Sequence, residues 1–138
     1  METKIFVDTS AFIALFNKKD HYYQKASVYF GDLDPTVIKL HTSNYIIDET
    51  ITRIRILNGH HLALEFANHF FRSKIFQSHY INQELEKYAF ELFKKYSDKE
   101  LSFTDCTSFA LMKQLGIKKA FAFDEDFISV GLEIDNSR

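Results

Sequence analysis

Lys4-Ile5-Phe6-Val7-Asp8 is a short apolar run that stops at an aspartate. Three consecutive apolar residues bounded by polar ones read as a buried strand, too short to be a helix. The next apolar residues, Phe12, Ile13, Leu15 and Phe16, fall at helical spacing instead. Strand, carboxylate, helix is thus the opening unit, and the rest of the chain repeats its alternation.

Asp20 predicts an N-cap for a second helix through Tyr22, Tyr23, Ala26, Val28 and Phe30. Gly31-Asp32-Leu33-Asp34-Pro35 is turn chemistry. Val37-Ile38-Lys39-Leu40-His41 reads as a second strand. A helix from Asn44 carries Ile47, Ile51, Ile54 and Leu57 and stops near Asn58-Gly59, and another spans about His61 to Phe71. Ile75 to His79 is a weaker third strand. Asn82 predicts the cap of a helix from Glu84 to Tyr96, with Leu85, Tyr88, Ala89, Leu92 and Phe93 on one face. Ser102 to Leu115 is helical and ends at Gly116, a natural residue to close a helix. Ala120-Phe121-Ala122-Phe123 reads as a fourth strand ending at Asp124, and Leu132-Glu133-Ile134 as a short edge strand. Strands separated by helices demand crossover connections, so the sequence predicts an α/β fold with a mainly parallel central sheet sandwiched by helices.

The bulk composition is consistent with that. The chain of 138 residues, 46% hydrophobic and 26% charged, is the size of one ordinary domain, and residues 1–138 are expected to form one. One cysteine rules out an internal disulfide, and no apolar run approaches the ~18 residues of a membrane span. The expected location is the cytoplasm. Cys106 reads as a small core residue, and the six histidines show no zinc-binding spacing. The net charge of −2 supplies no general attraction for nucleic acid, so any role on RNA needs bound cations and a local basic patch.

The functional signal is acidic. In an open parallel sheet the ligand site lies beyond the carboxyl ends of the strands. Asp8 and Asp124 each follow an apolar strand-like run. Glu49 lies near the start of the helix after the second strand, and Asp105 in the first turn of the helix before the fourth. Each acid also has a local role open to it. Asp8 can cap the first helix, Glu49 can pair with Arg53 one turn later, and Asp105 fits a capping arrangement with Ser102. Asp124-Glu125-Asp126 can be a solvated loop. Brought together they are a different object, since two like charges ~4 Å apart repel by about 4 kcal/mol at an effective dielectric of ~20. A set of carboxylates therefore calls for a cation or for bound protons. Oxygen-only ligands suit Mg²⁺ or Mn²⁺, and such ions beside a phosphodiester promote its hydrolysis.

Four blocks in order, Ile5-Phe6-Val7-Asp8-Thr9-Ser10, Thr42-Ser43 to Glu49-Thr50, Leu101-Ser102-Phe103-Thr104-Asp105-Cys106 and Phe121-Ala122-Phe123-Asp124-Glu125-Asp126-Phe127, resemble the PIN domain, and most closely its VapC-type toxin ribonucleases. The resemblance spans nearly the whole chain. It implies a PIN-like fold, Asp8, Glu49 and Asp105 as acids holding Mg²⁺ or Mn²⁺, and Asp124 as the fourth, with Asp126 close enough to share or replace it. It implies support from the hydroxyls of Thr9, Ser10 and Thr104. The implied activity is endonucleolytic cleavage of RNA by the toxin of a toxin–antitoxin pair, as a homodimer held inactive by an antitoxin. Arg53 and Arg55, and beyond them Lys113, Lys118 and Lys119, are candidate phosphate contacts, while Tyr22, Tyr23 and Phe127 can stack on bases if exposed. The helix near Tyr23 lacks a histidine often seen in that subgroup.

Two other classes compete. A receiver- or phosphatase-like domain needs an acidic pair at the first strand or a D-x-D-x-T signature, and neither is present. A non-catalytic PIN-like module that binds RNA or protein would lose one or more acids, and none is lost here.

Overall fold

The computed structural model describes residues 2–137. Five strands, β1 (Thr3–Val7), β2 (Ile38–Ser43), β3 (Phe76–His79), β4 (Lys119–Phe121) and β5 (Glu133–Ile134), form one sheet in the order β3-β2-β1-β4-β5, and every neighbouring pair is parallel. The connections hold α1 (Thr9–Phe16), α2 (Tyr23–Gly31), α3 (Asn44–Asn58), α4 (His60–Arg72), α5 (Gln83–Lys95), α6 (Phe103–Leu115) and the short α7 (Asp126–Ser129). This is the expected α/β arrangement, with helices covering both faces of a parallel sheet.

Alternation along the strands assigns the two faces. Ile5 and Leu40 are register partners, as are Leu40 and Phe76, so they share a face. There Phe12 of α1 meets Phe66 and Phe70 of α4 and Phe76 of β3, with ring centroids 5.3–6.0 Å apart. On the other face Phe6 packs on Phe127, which meets Phe109 of α6 edge-on. Phe6 is fully buried, and Phe6→Ala is expected to cost about 3–5 kcal/mol through lost transfer and the cavity left behind.

Local chemistry sets most boundaries. Ser43 starts α3 by accepting a hydrogen bond from the Ile46 N–H, and Asn82 starts α5 by accepting one from Leu85. Gly116 ends α6 in the left-handed region at φ 70°, where a side chain is disfavoured. Three expectations need correction. Asp20 is not a helix cap; its carboxylate accepts from the Tyr22 N–H in a turn, and α2 begins at Tyr23 without a side-chain cap. The fourth strand ends at Phe121, so Asp124 lies three residues beyond it. Asp124-Glu125-Asp126, open to a solvated-loop reading, instead leads into the helical turn α7, with the Asp126 N–H donating to Asp124 Oδ1.

Candidate active site

The site begins at the carboxyl end of β1. The Asp8 N–H donates to the Phe121 carbonyl at 3.1 Å, continuing the β1–β4 pairing one residue past both strands. The chain then turns into α1, and Asp8 Oδ2 accepts from the Ser10 N–H (3.1 Å) and the Ser10 hydroxyl (2.8 Å). The local capping role is therefore real. It uses one oxygen and leaves Asp8 Oδ1 without a hydrogen bond to any described residue.

Ser10 also works across the sheet. Its Oγ accepts from the Phe123 N–H at 3.0 Å, which ties the loop carrying Asp124 to the Asp8 carboxylate. Asp105 repeats the pattern. It sits in a capping box, with Oδ2 accepting from the Ser102 N–H at 2.9 Å and its own N–H donating to Ser102 Oγ at 3.0 Å. In Asp124, Oδ1 accepts from Asp126. Each of the three aspartates has one oxygen anchored to backbone and the other uncommitted among the described residues. The single sealed polar side-chain atom without a partner there is His41 Nε2, so the free oxygens of the acids still reach solvent.

The electrostatics show which acids meet. Burial, and after it the charge of Asp124, pushes the Asp8 carboxyl up to about 8; the Ser10 hydrogen bonds oppose this, and Asp105 adds to it. Burial likewise raises Asp105 to about 6, with Asp126 and Asp124 contributing. Asp126 is raised by burial and then by Asp124. The charge of Asp124 thus reaches Asp8, Asp105 and Asp126, and that of Asp105 reaches Asp8. That of Asp126 reaches Asp105.

Glu49 stands apart. It is half-buried in the second turn of α3 and is absent from the charges acting on Asp8, Asp105 and Asp126. Nor does it pair with Arg53 among the described residues. Its neighbour Thr50 is buried, with its hydroxyl 3.4 Å from that of Thr9, so α3 and α1 are pinned together one residue past Glu49. Thr9 therefore faces α3. Thr104 contributes its carbonyl to Thr107 and Ser108. Among the described residues no three acids, histidines or cysteines stand close enough as placed to enclose an ion. The chemistry of the set nevertheless suits a hard cation: oxygen donors only, free oxygens open to solvent, and carboxyls already raised by repulsion and burial.

Other candidates separate cleanly. Arg53 and Arg55 are exposed on α3. Lys119 opens β4, opposite Ile5, and lies with Lys118 toward the wrong end of the sheet for the acids. Lys113 is in the last turn of α6, eight residues from Asp105, and sits over the Tyr88 ring. Phe127 is fully buried and unavailable for stacking on a base. Cys106 is buried, and burial together with Asp105 raises its thiol, which keeps it a protonated core residue. Sequence reasoning missed the Ser10–Phe123 link; its only local signal was a hydroxyl two residues after the acid.

Comparison with known proteins agrees with this architecture. The PIN domain family model matches residues 5–132. The 23S rRNA-specific endonuclease VapC20 of Mycobacterium tuberculosis is 36% identical over 127 residues, covering 92% of this chain and 94% of the relative. The crystal structure of VapC20, described as a sarcin-ricin loop cleaving toxin, superposes with a TM-score of 0.86 at 34% identity, covering 93% of this chain and 95% of that one. A VapC ribonuclease of Archaeoglobus fulgidus is 27% identical over 123 residues, 88% of this chain and 77% of its own length. VapBC2 of Rickettsia felis, bound to a DNA fragment from its promoter, shares the fold alone, with a TM-score of 0.70 at 11% identity, covering 97% of this chain and 98% of that one. With the family model matching residues 5–132 and a relative 36% identical over nearly the whole chain, the chain belongs to the PIN domain family.

Proposed function

We propose that this protein is a metal-dependent endoribonuclease that hydrolyses RNA phosphodiester bonds, acting as the toxin of a toxin–antitoxin pair. The observation that carries the reading is the placing of the acids after the carboxyl ends of β1 and β4 and at the start of α6, with Asp8, Asp105 and Asp124 each anchored through one oxygen and free at the other. Likeness to VapC20 across nearly the whole chain supports RNA, and structured ribosomal RNA in particular, as the substrate class. That relative is described as a toxin, and an antitoxin partner enters here on the family resemblance. A homodimer enters on the family resemblance alone.

The uncommitted oxygens of Asp8, Asp105 and Asp124 are the ligands we assign to Mg²⁺ or Mn²⁺, with Asp126 beside them and Glu49 carried by the family match. When bound, the cation supplies positive charge at the attacked phosphate and acidifies water there. The chain's own part is orientation and charge. Ser10 fixes Asp8 and the Asp124 loop with one hydroxyl, and the Ser102 backbone fixes Asp105. Near neutral pH the ion-free protein holds protons on Asp8 and in part on Asp105. A cation held by these oxygens would favour the deprotonated carboxylates, so its binding would release protons to the medium.

The test is cleavage of ribosomal RNA in Mg²⁺ or Mn²⁺ by the wild type, Asp8→Asn and Asp105→Asn, alongside proton release on Mn²⁺ binding. Cleavage lost in both variants, with proton release lost in Asp8→Asn, supports the assignment. Undiminished cleavage by both variants overturns it. One observation favours a second reading, a PIN-like module that binds RNA or protein without cutting: among the described residues no three acids stand close enough as placed to enclose an ion. Wild type that binds RNA and never cleaves it selects that reading.

A further inference from the structure

Beside the acids is an aromatic feature that the hydrolytic machinery does not use. Tyr22 is 39% exposed and stacks on Phe123, with centroids 4.6 Å apart and planes 13° from parallel. His21, also exposed, stands edge-on to Tyr22 at 4.8 Å. Phe123 immediately precedes Asp124. Its backbone N–H is bound to Ser10 Oγ, which in turn donates to Asp8. The ring pair is therefore linked to the Asp8 carboxylate through two hydrogen bonds, so its position relative to the acids is set.

The connection that carries Tyr22, residues 17–22, also carries Lys18 and Lys19. Both are exposed, and neither forms an ion pair among the described residues. Its one carboxylate, Asp20, is occupied with the Tyr22 N–H. Lys25 of α2 is exposed as well. Flat aromatic surface with adjacent unpaired cations is the combination that holds single-stranded nucleic acid: the ring stacks a base and the cations meet phosphates. It also supplies the local basic patch that a chain of net charge −2 needs.

Resting on the ribonuclease reading above, we propose that Tyr22, backed by Phe123, is the platform on which an unpaired base of the RNA stacks beside the carboxylates, with Lys18 and Lys19 contacting its phosphates. Stacking tolerates any base, so the platform positions the strand and leaves sequence choice to other contacts. One stacked base is worth roughly 5- to 150-fold in affinity.

Steady-state cleavage of ribosomal RNA in Mn²⁺ by the wild type, Tyr22→Phe, Tyr22→Leu and Lys18→Ala/Lys19→Ala tests this, with melting temperature as the check on folding. A 2-aminopurine-labelled oligonucleotide bound to an Asp8→Asn background reports stacking directly. Tyr22→Leu is expected to raise KM about tenfold with kcat within about twofold. Tyr22→Phe should retain wild-type KM, and 2-aminopurine quenching should survive in Phe and vanish in Leu. The double lysine variant should flatten the dependence of log affinity on log salt by about 1.4. If the wild type cleaves RNA and Tyr22→Leu keeps its KM and its quenching, the platform is wrong and the ribonuclease reading stands. If Tyr22→Leu loses melting temperature and kcat together, Tyr22 is structural and the platform is again overturned. A wild type that neither binds nor cleaves RNA overturns both.

Discussion

Two places in this sheet bring like titratable groups together, and they resolve the problem in opposite ways. On the β2–β3 side, His41 Nδ1 and His79 Nε2 share a hydrogen bond of 2.8 Å, their rings nearly parallel. Burial first, and then His79 and Lys4, lower the His41 pKa; burial and Lys4 lower that of His79. Both rings are therefore held neutral. Since a neutral ring has one donor and one acceptor, His41 best donates from Nδ1, which leaves its sealed Nε2 as a bare acceptor rather than a stranded N–H. At the β1–β4 end the aspartates repel, keep free oxygens open to solvent, and have no hydrogen bond joining one carboxylate to another. The histidine pair neutralises itself through one shared hydrogen bond and leaves only the His41 Nε2 acceptor unpartnered. The acidic set is incomplete without protons or a cation, and that incompleteness, rather than proximity, is what marks a site.

The largest expected contrast is in activity. Asp8→Asn or Asp105→Asn should reduce RNA cleavage more than a hundredfold, while His79→Gln leaves it within about threefold; equal losses from both regions, read by gel-based kinetics, would erase the distinction.

Stability against pH should separate the regions next. An unfolded aspartate titrates near 3.9, and folded Asp8 near 8. The folded chain therefore binds the extra proton between those values, and the ion-free protein should lose stability as pH rises from about 4 to about 8, by on the order of a few kcal/mol. Asp8→Asn should abolish the slope above about pH 6, leave the smaller one that Asp105 contributes between about 4 and 6, and raise the melting temperature at pH 8. The histidines have the opposite sign. With folded pKa values below 6.5, they contribute stability above that pH and withdraw it as pH falls further. Melting curves from pH 4 to 9 for the wild type, Asp8→Asn and His79→Gln resolve the two slopes; a wild-type profile flat between pH 6.5 and 8 would contradict the first, and a His79→Gln profile parallel to the wild type below pH 6.5 the second.

Millimolar Mn²⁺ should raise the melting temperature by several degrees at pH 8 through preferential binding to the folded state. The increment should persist in His79→Gln and vanish in Asp8→Asn. The smallest effect concerns the hydroxyl that links strand ends. Ser10→Ala leaves the Phe123 N–H without its partner, at a cost of about 1–3 kcal/mol, and should slow cleavage about tenfold. Ser102→Ala, which removes a cap and keeps the backbone donor to Asp105, should cost about 1 kcal/mol with cleavage nearly unchanged.

How much of this was legible in the chain divides along the same line. The helix starts at Ser43, Asn82 and Ser102, the stop at Gly116 and the edge strand near Ile134 follow from residues within one turn of each other. Asp20 misled because a carboxylate two residues before an N–H makes a turn as readily as a cap. The fourth strand ran long in the reading because Ala122 and Phe123 are apolar, yet ladder pairing stops at Phe121. Phe127 looked available for stacking, whereas Phe6 and Phe109 enclose it.

By itself the sequence determined the α/β alternation, the caps, and the four acidic blocks whose order marks the PIN domain family, because those signals are carried by neighbours along the chain. Only the tertiary structure decided that the charge of Asp124 reaches Asp8 and Asp105, that Asp126 reaches Asp105, and that Ser10 bonds a residue 113 positions away. The physical reason is that charge and hydrogen bonding depend on separation in space. Parallel crossovers bring the ends of β1 and β4 together, and no spacing along the chain encodes which oxygens then remain free.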